Sequence, residues 1–418
     1  MKFNYGKIFL LGFGFFGVSV IWATYNAFVP LFLANKFGLN ALVVGFFMTL
    51  DNIAALFIQP TIGAYSDRLR SPLGRRIPFI LIGAPIGAAA FGLIPLAGIL
   101  PLFVACTVTL LLSMALWRTP IVALMPDITP SQYRSQANGI INFMGGIGSI
   151  IAFLVGSKLY KMNEAYPFWL GSILVLVAVA LVFIFVKEPK EYAVADANAP
   201  SVVDNVKSVF TDPEKSSLLL LLAIFSWFVA YNGIEAFFTL FVNRALGQPE
   251  SEGPRLLTQL SLIFVLFAIP SGYLAGRIGR KLTIILGLIM MVAAMLIMFI
   301  LPNEALLVPL TKLPVLGVVP TLGLLLMLAG VGWAFININS LPMVVDNTTD
   351  DRIGTYTGMY YLFSTMAAIF GPNINGLLIT LAGENYRMIT VVAPIFFILA
   401  LLLMLGVKRG EARTSNGS

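Results

Sequence analysis

Residues 59–80 read QPTIGAYSDRLRSPLGRRIPFI. This stretch joins two apolar segments, 41–65 and 77–99, and each of them is long enough to cross a bilayer. Its centre carries Asp67 and four arginines within ten positions. Charges of this density are excluded from hydrocarbon, because each one at the bilayer centre costs about 2.5–3.5 kcal/mol. The stretch is therefore predicted to be a short loop at a membrane surface, and its positive charge favours the cytoplasmic surface.

The composition is typical of a membrane protein. Of the 418 residues, 59% are hydrophobic and 11% are charged, and the mean hydropathy is +0.92; in a soluble protein about 25% of residues are charged. The net charge of +7 arises in loops between apolar segments, so no nucleic acid is expected as a partner. The chain has one cysteine, Cys106, and no histidine, so we expect no disulfide, no metal site and no cofactor.

Twelve apolar segments are long enough to be transmembrane helices. We number them spans 1 to 12 in chain order, at 8–34, 41–65, 77–99, 101–126, 138–160, 166–186, 216–243, 256–276, 282–302, 316–345, 356–382 and 386–407. Between spans 6 and 7 lies the longest polar stretch, 187–215, where we expect a short surface helix at Asn205–Phe210. The chain is thus predicted to be an all-α membrane protein of two six-helix halves, 1–186 and 216–418, joined by a cytoplasmic linker. The loop 303–315 has no predicted form.

Lysine and arginine indicate the orientation, because they are enriched in cytoplasmic loops. Most of them fall on one side if both termini and the linker 187–215 are cytoplasmic. We therefore predict a multi-pass protein of the inner (plasma) membrane with both termini in the cytoplasm. The first apolar segment is too long for a cleavable signal peptide and is interpreted as span 1.

The two halves repeat one another in sequence. Residues 272–281, GYLAGRIGRK, follow span 8 as the 59–80 stretch follows span 2. Gly276 stands where the first half has Asp67, so we expect the second loop to keep Arg277 and Arg280 but to lack its carboxylate. The stretches 117–142 and 333–361 also share a tryptophan, a proline, an acid and an arginine in that order. Parallel repeats of this kind are typical of transporters.

The loop after span 2 carries a resemblance to a known family. Its pattern resembles the signature between spans 2 and 3 of the major facilitator superfamily, through Gly63, Asp67, Arg68, Gly74, Arg75 and Arg76. The wider string, with Gln59-Pro60, Ser66 and Pro78-Phe79, is similar to plant sucrose–proton symporters and their bacterial relatives. The resemblance implies the major facilitator fold, a mid-membrane substrate site between the halves, and a latch in which this acid and these arginines hold neighbouring helix ends together. The alternative is that the arginines only set the topology.

A more distant resemblance lies in span 4. Residues 118–126, RTPIVALMP, are similar to span 4 of the glycoside–pentoside–hexuronide:cation symporters. In the melibiose permeases among them, an acid that binds cation and sugar occupies the position of Arg118. The sodium-site acids of those proteins fall on Ala55 and Gln59 here. Both differences argue against a sodium site.

Three acids are candidates for proton coupling. Asp51 in span 2 and Glu235 in span 7 lie at membrane depth, where burial disfavours an ionised carboxylate. Asp127, at the inner end of span 4, aligns with an acid that the plant symporters use for coupling. Each has a structural alternative: Asp51 as a permanent partner of Arg118, Glu235 as an ion-pair partner of Arg244, and Asp127 as a surface acid that caps the following loop.

Amides, aromatic rings and one arginine at membrane depth are candidates for substrate binding. Carboxamides offer paired donors and acceptors to sugar hydroxyls, aromatic faces stack on the apolar faces of a pyranose, and the guanidinium of an arginine donates several hydrogen bonds. The candidates are Trp22, Asn26, Arg118, Tyr231, Asn232, Trp333, Asn337 and Asn339. The alternative for each amide is a hydrogen bond between helices.

These features and the resemblance favour a proton-coupled symporter for a neutral glucoside such as sucrose or maltose, working by alternating access. The expected partners are the sugar, protons and the lipid bilayer, and the protein is expected to be a monomer. A proton-coupled exporter of amphipathic compounds and an uncoupled sugar facilitator remain alternatives within transporters. An enzyme is not favoured, because no nucleophile–base pair or metal motif is present, and no catalytic residue is assigned. A sensor would need an output domain.

Overall fold

The computed structural model describes residues 5–129, 134–188, 215–346 and 353–408. Twelve helices in these ranges are long and apolar enough to cross a membrane, which confirms the predicted fold class. Those of the first half are Tyr5–Leu31, Ala41–Phe47 with Leu50–Arg68, Ile77–Leu93, Leu100–Ile128, Arg134–Tyr160 and Tyr166–Phe185. Those of the second half are Ser216–Leu240, Glu252–Ile278, Arg280–Ile300, Thr321–Asp346, Ile353–Leu381 and Ile389–Gly406. The surface helix predicted at Asn205–Phe210 lies outside the described residues.

Spans 1 and 7, which begin the two halves, end in the same way. Each helix passes into a π-helical turn, Phe32–Lys36 or Phe241–Ala245. A glycine follows two residues later, Gly38 with φ of 66° and Gly247 with φ of 65°. Glycine adopts this left-handed backbone without steric cost, because it has no Cβ. The shared ending extends the internal repeat to a feature that the sequence analysis did not identify.

Span 2 is broken, whereas the sequence predicted one continuous helix over 41–65. One helix covers Ala41–Phe47, the chain turns at 48–49, and a second helix begins at Leu50. The N-terminus of the first helix is held from the end of span 11, where both Glu384 carboxylate oxygens accept from the backbone N–H of Ala41 at 3.2 and 3.1 Å. A carboxylate is a favoured partner there, because the first N–H groups of a helix have no partner within the helix.

Two compact units form, and they do not coincide with the two halves of the sequence. The first consists of Met1–Leu39, Leu50–Ala195 and Pro249–Thr258. The second consists of Asn40–Thr49, Asp196–Gln248 and Gln259–Ser418. The start of span 2 thus belongs to the second unit, and the start of span 8 belongs to the first.

Glycines bring helix backbones together inside each unit. In the first unit span 5 packs on span 1, and a methyl group added at Gly148 would lie 2.6 Å from the backbone oxygen of Phe16. In the second unit span 11 packs on span 7, and a methyl group at Gly371 would lie 2.5 Å from the backbone oxygen of Val229. Small residues permit this approach in membranes, where packing rather than water exclusion drives helix association.

The connection between spans 9 and 10 is the one place where the described residues depart from helices and loops. It forms a short helix, Asn303–Leu307, and then two antiparallel strands, β1 at Pro309–Leu313 and β2 at Gly317–Pro320. Gly317 has φ of 70° at the end of the hairpin turn. The short helix and β1 thus lie in the loop 303–315, for which the sequence predicted no form. Strand β2 occupies the start of the predicted span 10, whose helix begins only at Thr321.

The contact between spans 2 and 11 predicts a matched pair of glycine variants. A methyl group at Gly376 would lie 2.5 Å from the backbone oxygen of Ala41, whereas Gly358 in the same helix has open space. Both changes to alanine gain about 1 kcal/mol of helix propensity, but at Gly376 overpacking costs about 1–3 kcal/mol. Gly376→Ala should therefore melt at a lower temperature than Gly358→Ala in detergent. Equal melting temperatures would contradict the packing of Ala41–Phe47 on span 11.

Candidate functional site

Two nearly buried arginines stand at the end of the loop after span 2. The side chains of Arg75 and Arg76 are only 10% and 6% exposed. Asp127 of span 4 pairs with both, at 2.8 Å from Arg75 Nη2 and 3.0 Å from Arg76 Nε. Asp67 of span 2 lies 2.5 Å from Arg76 Nη2 and 3.7 Å from Arg75 Nη1. A guanidinium does not lose its proton, so its burial requires such partners.

Glu188 completes this group, which we call the arginine cluster: Asp67, Arg75, Arg76, Asp127 and Glu188. The Glu188 side chain is 1% exposed and lies 3.9 Å from Arg75 Nε. Its carboxylate accepts from the backbone N–H of Arg76 at 3.0 and 3.1 Å, and so caps the helix of span 3. The sequence analysis missed Glu188, whose only signal is its place directly after span 6.

The glycines of the loop signature differ in what the structure requires of them. Gly74 has φ of 104°, and a methyl group there would lie 2.1 Å from Glu188 Oε2. Only glycine suits such a position. A methyl group at Gly63 would meet Thr119 at 3.7 Å, an ordinary contact. Arg68 is exposed. Of the residues in the predicted latch of the first half, Asp67, Arg75 and Arg76 form the ion pairs and Gly74 makes the close approach to Glu188.

Asp127 belongs to the arginine cluster. Its side chain is 14% exposed and paired with two guanidinium groups, which argues against the alternative of a plain surface acid. Residues 130–133 of the loop that it would cap lie outside the described residues. Proton coupling by Asp127 stays a prediction.

The second half holds a smaller counterpart of the cluster. Arg280 forms an ion pair with Asp346, and its Nη1 donates to the backbone oxygen of Pro342 at 2.9 Å. The loop itself has no carboxylate at the position of Asp67, since Gly276 stands there with open space around it; the acid that pairs with Arg280 comes instead from the end of span 10. Arg277 is exposed. Asp127 and Asp346 occupy corresponding places in the sequence repeat, and each pairs with an arginine of its own half.

In the first unit, aromatic and charged side chains of spans 1 and 4 come together. The guanidinium carbon of Arg118 lies 6.0 Å from the centre of the Trp22 ring. The rings of Trp22 and Tyr25 meet edge to face at 5.8 Å. Among the described residues, neither the indole N–H of Trp22 nor the hydroxyl of Tyr25 has a hydrogen-bond partner, although both atoms are buried. Tyr25 was not predicted, and its signal is the three-residue spacing from Trp22 on one helix face.

Two further candidates belong to the same region. Asp51, near the start of the second helix of span 2, lies close enough to Tyr25 to interact with it electrostatically. Its Oδ1 accepts from Asn52 Nδ2 at 2.9 Å. Asn26 is partly exposed one turn after Trp22. The predicted pairing of Asp51 with Arg118 stays a prediction.

In the second unit, spans 7 and 10 build an aromatic stack. The rings of Tyr231 and Trp333 are parallel, with centres 3.8 Å apart and 6° between their planes. Phe228 meets Trp333 edge to face at 5.5 Å. Glu235 follows Tyr231 by one turn and interacts with it electrostatically. Asn232 is partly exposed, and its amide donates to the backbone oxygen of Phe228 at 2.7 Å.

The two asparagines of span 10 have different surroundings. Asn339 is 3% exposed, and its amide donates to Ser271 Oγ at 2.8 Å and to the backbone oxygen of Phe335 at 2.9 Å. This is the hydrogen bond between helices that stood as its alternative, so the structure argues against Asn339 as a substrate contact. Asn337 is partly exposed and remains a candidate.

The arrangement suits binding rather than covalent chemistry. Among the described residues, no group of three histidine, cysteine, aspartate or glutamate side chains could hold a metal ion. At membrane depth the candidates include neutral donors and acceptors on Trp22, Tyr25, Asn232 and Asn337, and the aromatic rings of Tyr231 and Trp333. Such atoms bind by hydrogen bonding and stacking.

Because the Glu188 carboxylate is buried and hydrogen-bonded, we expect its removal by substitution to destabilise the protein. Glu188→Ala removes the acceptor of the backbone N–H groups of Arg76 and Ile77, at 3.0 and 3.4 Å, and so leaves buried donors unsatisfied, which costs about 1–3 kcal/mol. It also removes a carboxylate 3.9 Å from the buried guanidinium of Arg75. The expected result is a lower midpoint of thermal unfolding in detergent. Glu304→Ala is the control, because Glu304 is an exposed acid. If both variants unfolded at the same temperature, Glu188 would not stabilise the cluster.

Comparison with known proteins agrees with this architecture. The family model described as MFS/sugar transport protein matches residues 10–407. The chain is 26% identical over 300 residues to the general alpha-glucoside permease of Schizosaccharomyces pombe, covering 61% of this chain and 52% of the permease. It is 30% identical over 169 residues to the maltose permease of Geobacillus stearothermophilus, covering 39% of this chain and 41% of that protein. The chain spans about half the length of the curated relatives it matches.

A solved structure shows the same fold. The nucleoside transporter NupG superimposes with a TM-score of 0.73 and 16% identity, over 96% of this chain and 99% of that one. Identity this low establishes the fold alone. The family and the fold are those of transporters and not of enzymes, as the sequence predicts. Because the family model covers nearly the whole chain, this protein belongs to the MFS/sugar transport protein family of the major facilitator superfamily.

Proposed function

We propose that this protein is a proton-coupled symporter for a neutral glucoside, a disaccharide such as sucrose or maltose, and that it works by alternating access. The observation that carries the proposal is the group of buried donors around Arg118. The Trp22 indole N–H and the Tyr25 hydroxyl are buried without a partner among the described residues, beside an arginine that is always charged. Buried polar groups are normally satisfied, and the hydroxyls of a sugar supply the missing acceptors.

The aromatic stack of the second unit supports the same substrate class. Tyr231 and Trp333 form a rigid pair with few rotatable bonds, and rings of this kind offer apolar faces to a pyranose. A phosphate or a dicarboxylate would instead favour several cationic side chains. The names of the two curated relatives, a general alpha-glucoside permease and a maltose permease, point in the same direction.

The proposed proton carrier is Glu235, with Asp51 as its rival. Glu235 lies one helical turn from Tyr231 on the same helix face, which places the acid beside the aromatic stack. A sugar that contacts Tyr231 would then favour one protonation state of Glu235, and the two affinities would be linked reciprocally. In the first unit, Asp51 of span 2 likewise lies near a tyrosine, Tyr25 of span 1.

The orientation follows from charge. Most lysines and arginines fall on the side of the membrane that holds the arginine cluster. We assign this side, with both termini, to the cytoplasm, and the protein to the inner membrane. The arginine cluster and the Arg280–Asp346 pair then act as cytoplasmic latches whose contacts change as the transporter alternates. The protein is proposed to act as a monomer.

Uptake into proteoliposomes tests the proposal. A panel of labelled sugars is offered with and without an inward proton gradient, and at least one glucoside should accumulate only with the gradient. In Glu235→Gln, exchange between equal pools should persist while accumulation is lost, because the amide mimics the protonated acid. Glu304→Gln, at an exposed acid, should transport as the unchanged protein does.

The outcomes of this assay separate the parts of the proposal. If no sugar enters, the substrate class is wrong. If entry never depends on the gradient, the protein is an uncoupled facilitator. If Asp51→Asn rather than Glu235→Gln abolishes accumulation, Asp51 carries the proton.

A substitution of Arg118 is expected to change the affinity for the sugar. Arg118→Lys keeps the charge but loses the planar fork of donors, so sugar affinity should fall by about 1–3 kcal/mol, the range for hydrogen bonds to charged groups. Binding calorimetry measures it. Arg255→Lys is a control of the same chemistry, because Arg255 pairs with Glu252 at the start of span 8 and is not a member of the proposed site. An unchanged affinity in Arg118→Lys would leave Arg118 with a purely structural role.

A further inference from the structure

The connection between spans 9 and 10 carries an apolar hairpin that the proposed transport function does not use. Strands β1 and β2 pair antiparallel, with Thr311 opposite Val319. All five residues of β1 are exposed. Side chains alternate between the two faces of a strand, so both faces of β1 are open.

Five of the exposed side chains in and beside the hairpin are large and aliphatic. They are Val308, Leu310, Leu313, Val315 and Val318. Transfer of such side chains from water to an apolar environment is favourable, so water is a poor environment for the set. An isolated two-stranded hairpin is also only marginally stable in water. An apolar environment is therefore expected around this hairpin.

The hairpin is fixed to the protein at its base. Leu316 and Val319 are buried, and the backbone N–H of Thr321, the first residue of span 10, donates to the backbone oxygen of Val308 at 3.0 Å. Next to this base, Ile300 at the end of span 9 and Leu324 in the first turn of span 10 are exposed. Exposed apolar side chains therefore occur on the spans at both ends of the connection as well as on the hairpin itself.

One charged residue accompanies the apolar set. Lys312 is the only charge in the sequence between Glu304 and Asp346. It is exposed in the middle of β1, between the exposed side chains of Leu310 and Leu313. A lysine can keep its aliphatic stem on an apolar surface while its ammonium group reaches water or a phosphate. This combination is typical of segments that lie in the membrane interface.

We propose that this hairpin lies in the headgroup–acyl boundary of the leaflet at that end of spans 9 and 10. The aliphatic side chains contact the acyl chains, and the Lys312 ammonium contacts a phospholipid phosphate. The hairpin thereby anchors the first turn of span 10, the helix that carries Trp333 and Asn337. The ligand class is a membrane phospholipid, and the site does not depend on which solute the protein transports.

Spin labels at two matched positions test the proposal. In a Cys106→Ala background, single cysteines replace Val315, or Met162 in the loop between spans 5 and 6; the two side chains are 67% and 73% exposed. The full chain is placed in nanodiscs of phosphatidylcholine and phosphatidylglycerol. Electron paramagnetic resonance then measures collisions with oxygen, which partitions into acyl chains, and with a water-soluble nickel chelate. The oxygen-to-nickel ratio should be several-fold higher at position 315 than at 162.

Two results would overturn the proposal. Equal ratios at the two positions would place the hairpin in water. Low collision with both reagents, together with spin–spin broadening between labelled chains, would show that a second copy covers the hairpin. The lysine is tested separately in the label at 315: Lys312→Glu should lower the ratio, because a carboxylate is repelled by phosphate. An unchanged ratio would remove the phosphate contact from the proposal.

Discussion

Arg75 and Arg76 carry charges that they cannot lose, and their side chains are almost wholly removed from solvent. Each burial would be prohibitive without carboxylates within hydrogen-bond reach. The acids come from three distant parts of the chain, Asp67 at the end of span 2, Asp127 in span 4 and Glu188 after span 6. The ends of four spans are therefore joined by one electrostatic requirement. Gly74 has a positive φ that favours glycine, and the absence of a Cβ there leaves room for the Glu188 carboxylate.

The second half meets the same requirement with fewer charges. Arg280 has one acid, Asp346, and one backbone oxygen, that of Pro342. Because Gly276 replaces the loop acid, there is no second carboxylate at that place in the sequence to pair with a second guanidinium, and Arg277 is exposed. Fewer buried charges mean less desolvation to offset. Both halves thus pair a loop arginine with an acid at the end of the span after next, Asp127 in span 4 and Asp346 in span 10. The acids corresponding to Asp67 and Glu188 are described only for the first half.

The break in span 2 divides the span into two helices that pack with different units. Residues 41–47 pack with the second unit, and the helix from Leu50 packs with the first, where Asp51 lies near the aromatic side chains of span 1. Side chains satisfy polar groups at the break: Thr49 donates to the backbone oxygen of Phe46 at 2.7 Å and accepts from Asn373 at 3.2 Å. Irregular backbone at membrane depth needs such partners. Bending at this point costs fewer helical hydrogen bonds than bending in the middle of a regular helix.

The sequence by itself determined the number of spans, the polar ends of the helices and the loop with Asp67, Arg75 and Arg76. These are local properties, because the cost of a charge in hydrocarbon and the length of an apolar segment are read from the segment alone. Helical spacing also grouped Tyr231 with Glu235 on one face. Only the tertiary structure decided the partners: Glu188 for the arginine cluster, Asp346 for Arg280, Ser271 for Asn339, and Trp333 as the ring that stacks on Tyr231. A helix face specifies which residues point together, but which other helix meets that face depends on the packing of the whole unit.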